Sequence, residues 1–362
     1  MWRSRPPGAA AQLRPLGGKD ENTEVKAKKM IREIEELYRL HQDEILREAA
    51  ERYGFEKENL KKLGSFESYV YEVDCENIIL KITHSIRRTK EYVIGEMEFV
   101  RYLAENGVLV STPVLSQNGK SVETIQINDG YFLVYAFTRA KGRELEEHEL
   151  NSAFNEEWGR LVGRMHTLAK KFEPSRPMYR RQAWYEEDVL DYDKYIPSSQ
   201  KIVHKKKEKL FKALKSLPQN TSTYGLTHND IHYGNIYVDE ECRLTVFDFD
   251  DSSYHWYVND IAIVVHSILP GYDQVEQFGT IVEQFLVDFM RGYLRENKID
   301  KSWMRKVPEF LRLYDLINYG IFHQVWDMEN LSEARKRTLA RVRQRIENET
   351  SIVEADFAKF GV

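Results

Sequence analysis

The sequence predicts an α+β chain in two lobes, a small antiparallel-sheet N-terminal lobe over residues 30–137 and a larger, mainly helical C-terminal lobe over 138–362. Three observations carry this. Before Thr138 the hydrophobic rhythm alternates between helix and hairpin, after Lys141-Gly142 it is mostly helical, and one short β-rich island from Ile236 to Phe249 interrupts those helices. A length of 362 residues suits one large domain or two lobes. With 42% hydrophobic and 31% charged residues, disordered and collagenous classes are excluded. A net charge of −5 argues against a nucleic-acid partner, and two cysteines cannot build a disulfide framework. The apolar run Ile261–Val265 stops at His266, well short of the roughly 20 residues a membrane span needs, so no membrane partner is expected and the protein is expected in the cytoplasm.

Element by element, residues 1–29 read as a disordered leader or tag: Arg, Pro, Gly and Ala fill the start without periodicity or a secretory apolar region. From Glu24 to Tyr53, Ile31, Ile34, Leu37, Tyr38, Ile45 and Leu46 recur at helical steps, and Gly54 stops the pattern. Tyr69–Val73 and Ile78–Ile82, rich in aromatic and β-branched residues, form a hairpin across the turn at 74–77. Ile94, Met97, Val100 and Leu103 mark a helix from Glu91 to Asn106, and Val122–Ile127 with Tyr131–Phe137 make a hairpin around Asn128-Asp129-Gly130.

The chemistry concentrates in the island. His228-Asn229-Asp230 and His232-Tyr233-Gly234-Asn235 precede a strand at Ile236–Val238, and a second strand, Leu244–Phe247, ends at Asp248-Phe249-Asp250. Both ends of an antiparallel hairpin lie at the same edge, so Asp230, Asn235 and Asp248 can converge although spread along the chain. Oxygen ligands so placed suit Mg²⁺, and a further carboxylate can orient an attacking hydroxyl, which together are the needs of phosphoryl transfer. A lone His-x-Asp would be only a turn or a cap; the combined spacing makes the site.

These words resemble the motif pair of the aminoglycoside phosphotransferase and choline kinase superfamily, small-molecule kinases with the two-lobed protein-kinase-like fold. His232-Tyr233-Gly234-Asn235 is similar to the family's HPGN, and Asn259-Asp260-Ile261-Ala262 to its YDIA, with the likeness running from about Gly64 to Val265. The resemblance implies that Asp230 is the catalytic base or hydroxyl-orienting group. It makes Asn235 and Asp248 the Mg²⁺ ligands, has His228 brace the catalytic loop, and has Asp260 hold that loop's backbone from a helix start.

The N-terminal half should then bind ATP. Lys81 is a single cation in an apolar strand, a placement that costs desolvation unless an anion meets it. Glu96, on the following helix, is its expected partner; Glu98 competes but points about 200° away. Gly64-Ser65-Phe66-Glu67-Ser68 is the expected phosphate-covering loop, with Ser65 and Ser68 as donors, though it has a single glycine. Tyr131–Phe137 resembles the strand that leads to the hinge, with backbone groups from Tyr135 to Phe137 reading the adenine edge.

Other clusters carry less. The lysine-rich stretch Lys201–Lys215 has helical apolar spacing and reads as a solvated face. Glu186, Glu187, Asp188, Asp191 and Asp193, with Trp184, Tyr185 and Tyr192, could receive a cationic acceptor. Asp251, Tyr254, His255, Trp256 and Tyr257 are further candidates for the acceptor pocket, while the stripe from Tyr314 to Asp327 reads as core and His166 as structural.

The function expected is ATP- and Mg²⁺-dependent transfer of the γ-phosphate to a hydroxyl of a small molecule, an aminoglycoside, amino alcohol, homoserine or sugar. Two alternatives stand beside it. One is a serine/threonine protein kinase of the same fold, against which the absence of D-F-G and A-P-E signals weighs. The other is a catalytically silent nucleotide-binding scaffold, against which the joint presence of Lys81, Asp230, Asn235 and Asp248 weighs.

Overall fold

The computed structural model describes residues 23–65, 68–73, 76–127, 130–146, 149–271 and 278–362. The chain opens with helix α1 (Thr23–Tyr53), so the helix begins inside the stretch expected as a leader over 1–29; residues 1–22 lie outside the described residues. An antiparallel sheet follows: β1 (Leu60–Ser65), β2 (Tyr69–Val73) and β3 (Ile78–His84), then helix α2 (Lys90–Glu105), then β4 (Pro113–Val114), β5 (Glu123–Ile127) and β6 (Gly130–Thr138). The order is β1-β2-β3-β6, with β4 and β5 sharing the far side of β6.

The period-two rule sorts the side chains of this sheet. Leu80 and Ile82 of β3, with Phe132, Val134 and Ala136 of β6, join Tyr38, Ile45 and Ala49 of α1 in one core. Leu133, Tyr135 and Phe137 face the other way, into the core that continues through the C-terminal lobe. Lys81, between Leu80 and Ile82, therefore points away from α1 and toward the space between the lobes.

The C-terminal lobe contains α3 (Ser152–Ala169), a short turn α4 (Tyr192–Tyr195), α5 (Lys201–Lys215), α6 (Tyr257–Ser267), α7 (Phe278–Glu296), α8 (Lys301–Met304), α9 (Val307–Val325) and α10 (Glu333–Asn348). Every residue of α6 is buried. Helices α3 and α7 touch backbone to backbone: a Cβ added at Gly159 would stand 1.8 Å from the Phe289 carbonyl oxygen, and one at Gly292 1.8 Å from that of Glu156. Two small antiparallel ladders interrupt the helices, β7 (Tyr224–Thr227) with β10 (Ser253–Trp256), and β8 (Ile236–Val238) with β9 (Leu244–Val246). The first of these was not anticipated. Its strands of four residues, Tyr-Gly-Leu-Thr and Ser-Tyr-His-Trp, carry no alternation to mark them. The lobes are tied by Val246, which donates its N–H to Leu109 O (3.0 Å) and accepts from Ser111 N (3.2 Å). Among the described residues no helix is long and apolar enough to cross a membrane.

Candidate active site

The two ladders bracket the site. The loop 228–235 leaves β7 and enters β8, and the turn 247–252 leaves β9 and enters β10, so each is anchored at both ends. Phe247 N donates to Asn235 O (3.1 Å), which brings the residues flanking β8 and β9 side by side.

Asp260, near the start of α6, organises the loop from behind. Its Oδ1 accepts from Asn229 N (2.9 Å) and its Oδ2 from His228 N (3.2 Å). His166 Nε2 lies 3.0 Å from the same Oδ2, and His166 Nδ1 is 3.0 Å from the Tyr293 hydroxyl of α7. Burial opposes the Asp260 charge, yet the hydrogen bond and field of His166 outweigh it and hold the carboxyl below its usual range. Asn229 sits at φ +66, a left-handed conformation these bonds hold in place. His228 donates from Nε2 to Phe247 O (3.1 Å) and accepts at Nδ1 from Asp230 N (3.3 Å). Burial lowers its pKa, so the ring is neutral and these bonds fix its tautomer. His228 and Asp260 thus both hydrogen-bond the backbone of the 228–235 loop.

Asp230 is buried, and Asn235 Nδ2 donates both to its carbonyl oxygen (3.0 Å) and to its Oδ2 (3.1 Å). With its amide so engaged, Asn235 keeps its carbonyl Oδ1 for another partner. Asp248, at φ +65, turns its carboxylate toward β3, where Lys81 Nζ lies 2.7 Å from Oδ1. An amide oxygen and a carboxylate oxygen form a donor set that fits Mg²⁺, which keeps most of its remaining positions for water and phosphate. Among the described residues no cluster of three or more His, Cys, Asp or Glu could hold a metal ion.

The Lys81 partner differs from expectation. Lys81 pairs with Asp248 and, at 3.5 Å, with Asp250 Oδ2, while the Glu96 carboxyl hydrogen-bonds Asp250. Burial works against the Lys81 charge, but Asp248 and Asp250 hold the ammonium well above the usual lysine range. Glu96 is buried beside Asp250; burial first and the Asp250 charge second push its carboxyl up to about 8. The reason is geometric, because the turn at Asp248 carries two carboxylates to Lys81 before Glu96 can reach it. Glu98 is taken by Ser175, whose N–H donates to Oε2 (3.0 Å).

A cavity of about 370 Å³ opens between the lobes. Leu63, Val70, Ile79 and Lys81 form its roof, Phe137 to Ala140 its back, and Tyr237, Phe247 and Asp248 its floor. Phe137 lines it, but the Tyr135 side chain is fully buried away from it, and the Tyr135 position is committed to the ladder opposite Lys81. Of the stretch expected to read the adenine edge, only Phe137 lines the cavity, which continues along Thr138, Arg139 and Ala140. Gly64 and Ser65 belong to the end of β1, opposite Val70 and Tyr69, and the Ser68 side chain is buried. Phe66 and Glu67, at the centre of the expected phosphate-covering loop, lie outside the described residues.

A second, open cleft of about 1040 Å³ is lined by Thr89, Tyr92 and residues between Met178 and Tyr224. The expected acidic strip lines it, with Glu186, Glu187, Asp188 and Asp191, but so do Arg180, Lys194, Lys207 and Lys215. Glu187 Oε1 accepts from Asn229 Nδ2 (2.6 Å), joining the cleft to the catalytic loop, while Asp188 is held by Lys194 and Tyr195. Lys215 Nζ lies 4.2 Å from the Tyr185 ring centroid and Lys207 Nζ 4.9 Å from that of Phe211, so α5 is a cleft wall as well as a solvated face. Of the island's downstream candidates, Trp256 and Tyr257 are core residues, and Asp251, Tyr254 and His255 are buried without lining the cleft.

The sequence profile of the phosphotransferase enzyme family matches residues 59–306. Amicoumacin kinase of Bacillus subtilis is 41% identical over 325 residues, which is 88% of this chain and 96% of that protein. The chain belongs to the phosphotransferase enzyme family. A solved amicoumacin kinase, in complex with AMP-PNP, Ca²⁺ and Ami, superposes with a TM-score of 0.83 at 38% identity, covering 88% of this chain and 96% of that one. A microcompartment-associated aminopropanol kinase shares the fold with a TM-score of 0.67 at 20% identity, over 84% and 97% of the two chains. The phosphotransferase family and its protein-kinase-like fold are therefore those of this chain.

Sequence reasoning missed two residues at the site. Asp250 stood inside the quoted motif without a role, although its position two residues after Asp248 was visible. Arg181, which hydrogen-bonds the turn after Asp248, left no sequence signal, because its acceptors are backbone carbonyls.

Proposed function

We propose that this phosphotransferase moves the γ-phosphate of ATP, with Mg²⁺, to a hydroxyl of an antibiotic-sized, amine-bearing small molecule held in the open cleft. The observation that carries this reading is the meeting of Lys81, from the N-terminal lobe, with Asp248 at the edge of the Asp230–Asn235 loop. Asn235 and Asp248 would hold the metal, which when bound offsets phosphate charge. Lys81 grips the phosphates, the inter-lobe cavity takes the nucleoside against Phe137 to Ala140, and Asp230 orients the acceptor hydroxyl through the carboxylate oxygen that Asn235 leaves unbonded. Glu96 supports the Lys81 environment, and Ser65 and Ser68 contribute through the backbone of the turn. The reaction belongs in the cytoplasm, where ATP is held.

The size of the cleft favours an acceptor nearer amicoumacin than choline, since sites for drug-sized ligands run to about 1,000 Å³. Its carboxylates, Glu186 and Glu187 among them, suit an ammonium group. The protein-kinase alternative meets a structural obstacle: β10 begins at Ser253, leaving no room after Asp248-Phe249-Asp250 for an activation segment.

The test is Mg²⁺-dependent transfer of labelled γ-phosphate to amicoumacin, aminoglycosides, aminopropanol, choline, homoserine, sugars and a generic protein, with Asp230→Asn alongside. Label on an amine-bearing antibiotic, lost in the variant, is expected. Label on protein alone would overturn the reading.

A further inference from the structure

After α3 the chain crosses back over the N-terminal lobe before it reaches the cleft, and it meets α2 at three points. Ser175 bonds the Glu98 carboxylate. The Tyr179 carbonyl oxygen lies where a Cβ at Gly95 would be, 2.1 Å from the added atom. Arg181 donates to Tyr92 O (3.0 Å). Positions 92, 95 and 98 share one face of α2, so this segment runs along the helix that carries Glu96.

At its end, Arg181 is 2% exposed and uses its whole fork. Besides the bond to Tyr92 O, its Nε donates to Ser252 O (2.8 Å) and a terminal nitrogen to Asp250 O (2.5 Å). The guanidinium lies over the Tyr92 ring, 3.5 Å from its centroid. Its three acceptors are backbone carbonyls of two segments only, α2 and the turn that follows Asp248. A planar group with five fixed donors can satisfy such a set, whereas a lysine ammonium, a point charge on a flexible stem, cannot reach all three at once.

We propose that Arg181 is a positioning residue of the phosphotransfer reaction: it locks the 248–252 turn against α2 and so sets where Asp248 and Asp250 present their carboxylates to the metal–nucleotide. This rests on the metal role given to Asp248 above. Arg181 itself lines the acceptor cleft, so the geometry of the nucleotide site is fixed from the acceptor side.

Thermal stabilisation by ATP, titrated with Mg²⁺ in wild type and Arg181→Lys, tests this without an acceptor. The variant should need about ten-fold more Mg²⁺ for half of the stabilisation, the size expected on losing a charge-assisted bond. In turnover assays kcat should fall with acceptor KM unchanged, and low-millimolar guanidinium should restore the Mg²⁺ curve of Arg181→Ala. Glu98→Gln, which loosens the far end of the segment, should lower the melting temperature and leave the Mg²⁺ curve in place. If Arg181→Lys fails to fold, Tyr92→Leu removes the ring under the guanidinium, keeps its acceptors, and carries the same test with a smaller shift. A wild-type Mg²⁺ curve in Arg181→Lys, or an effect confined to acceptor KM, overturns the proposal. A wild-type protein indifferent to Mg²⁺ and ATP brings down the functional reading itself, and this inference with it.

Discussion

The inter-lobe cavity proposed for the nucleotide takes its roof from β1 to β3 and its floor from the β8–β9 ladder, with Lys81 facing Asp248 across it. The open cleft proposed for the acceptor takes its walls from irregular chain around 178–191, from α5 and from the start of α2, and its lining spans Thr89 to Tyr224. In the first, hydrogen-bonded ladders fix where each side chain points, and the same few residues serve any acceptor. In the second, mixed charges sit on loops, where specificity can change without disturbing the chemistry. The ladder-built side should therefore govern turnover and stability, and the loop-built side the choice of acceptor.

The sharpest break of that contrast is Asp230→Asn. Turnover should fall by roughly 10² to 10⁴ if the carboxylate acts as a base, with ATP binding retained in a thermal-shift titration. Near-normal turnover would remove Asp230 from the chemistry. Next is Asp260→Ala, which leaves two loop N–H groups and His166 without their acceptor. Losing one partner of so buried a pair should cost about 3–5 kcal/mol in a denaturant melt. A loss of activity without a loss of stability would show that the loop holds its shape by other means.

A pH effect comes third. Beside Asp250, Glu96 keeps its proton up to about pH 8. In the unfolded chain a glutamate loses that proton near its ordinary pKa of about 4.3. Between those limits the folded state binds more protons than the unfolded one, so stability falls as pH rises. Glu96→Gln should flatten that slope in melts taken from pH 5 to 8, and a slope that survives would place its origin elsewhere. The smallest effect belongs to the cleft. Lys215→Ala removes a cation–π contact of about 0.5–1 kcal/mol and should move acceptor KM only a few-fold, with kcat unchanged. A large fall in kcat would contradict the division of labour.

The same contrast explains what could be read from the sequence. Asp230, Asn235 and Asp248 fall within one hairpin's length, and Asp260 follows at a helix start, so the grouping of these side chains around the ladder was legible in the sequence. Lys81 was legible as a lone cation among apolar neighbours. Its partners were not, because the choice between Glu96 and the pair Asp248 and Asp250 depends on a turn at positive φ that brings the carboxylates in. Strand β1, Leu-Lys-Lys-Leu-Gly-Ser, hid behind its lysines, and the β7–β10 ladder behind its brevity. The cleft was half legible: the acidic strip stood out, but the cations of α5 that face it come from the next helix and read as solvated.

The close approach of α3 and α7 has a consequence for genetics. Those helices position His166 and Tyr293, and through them Asp260, yet their contact depends on glycines with no part in substrate binding. An alanine at Gly159 or Gly292 would force the helix backbones apart, and that displacement would reach the catalytic loop through two hydrogen bonds. In a selection for lost activity, these glycines should yield temperature-sensitive alleles, conditional mutants whose lesion lies two side chains from anything that reacts.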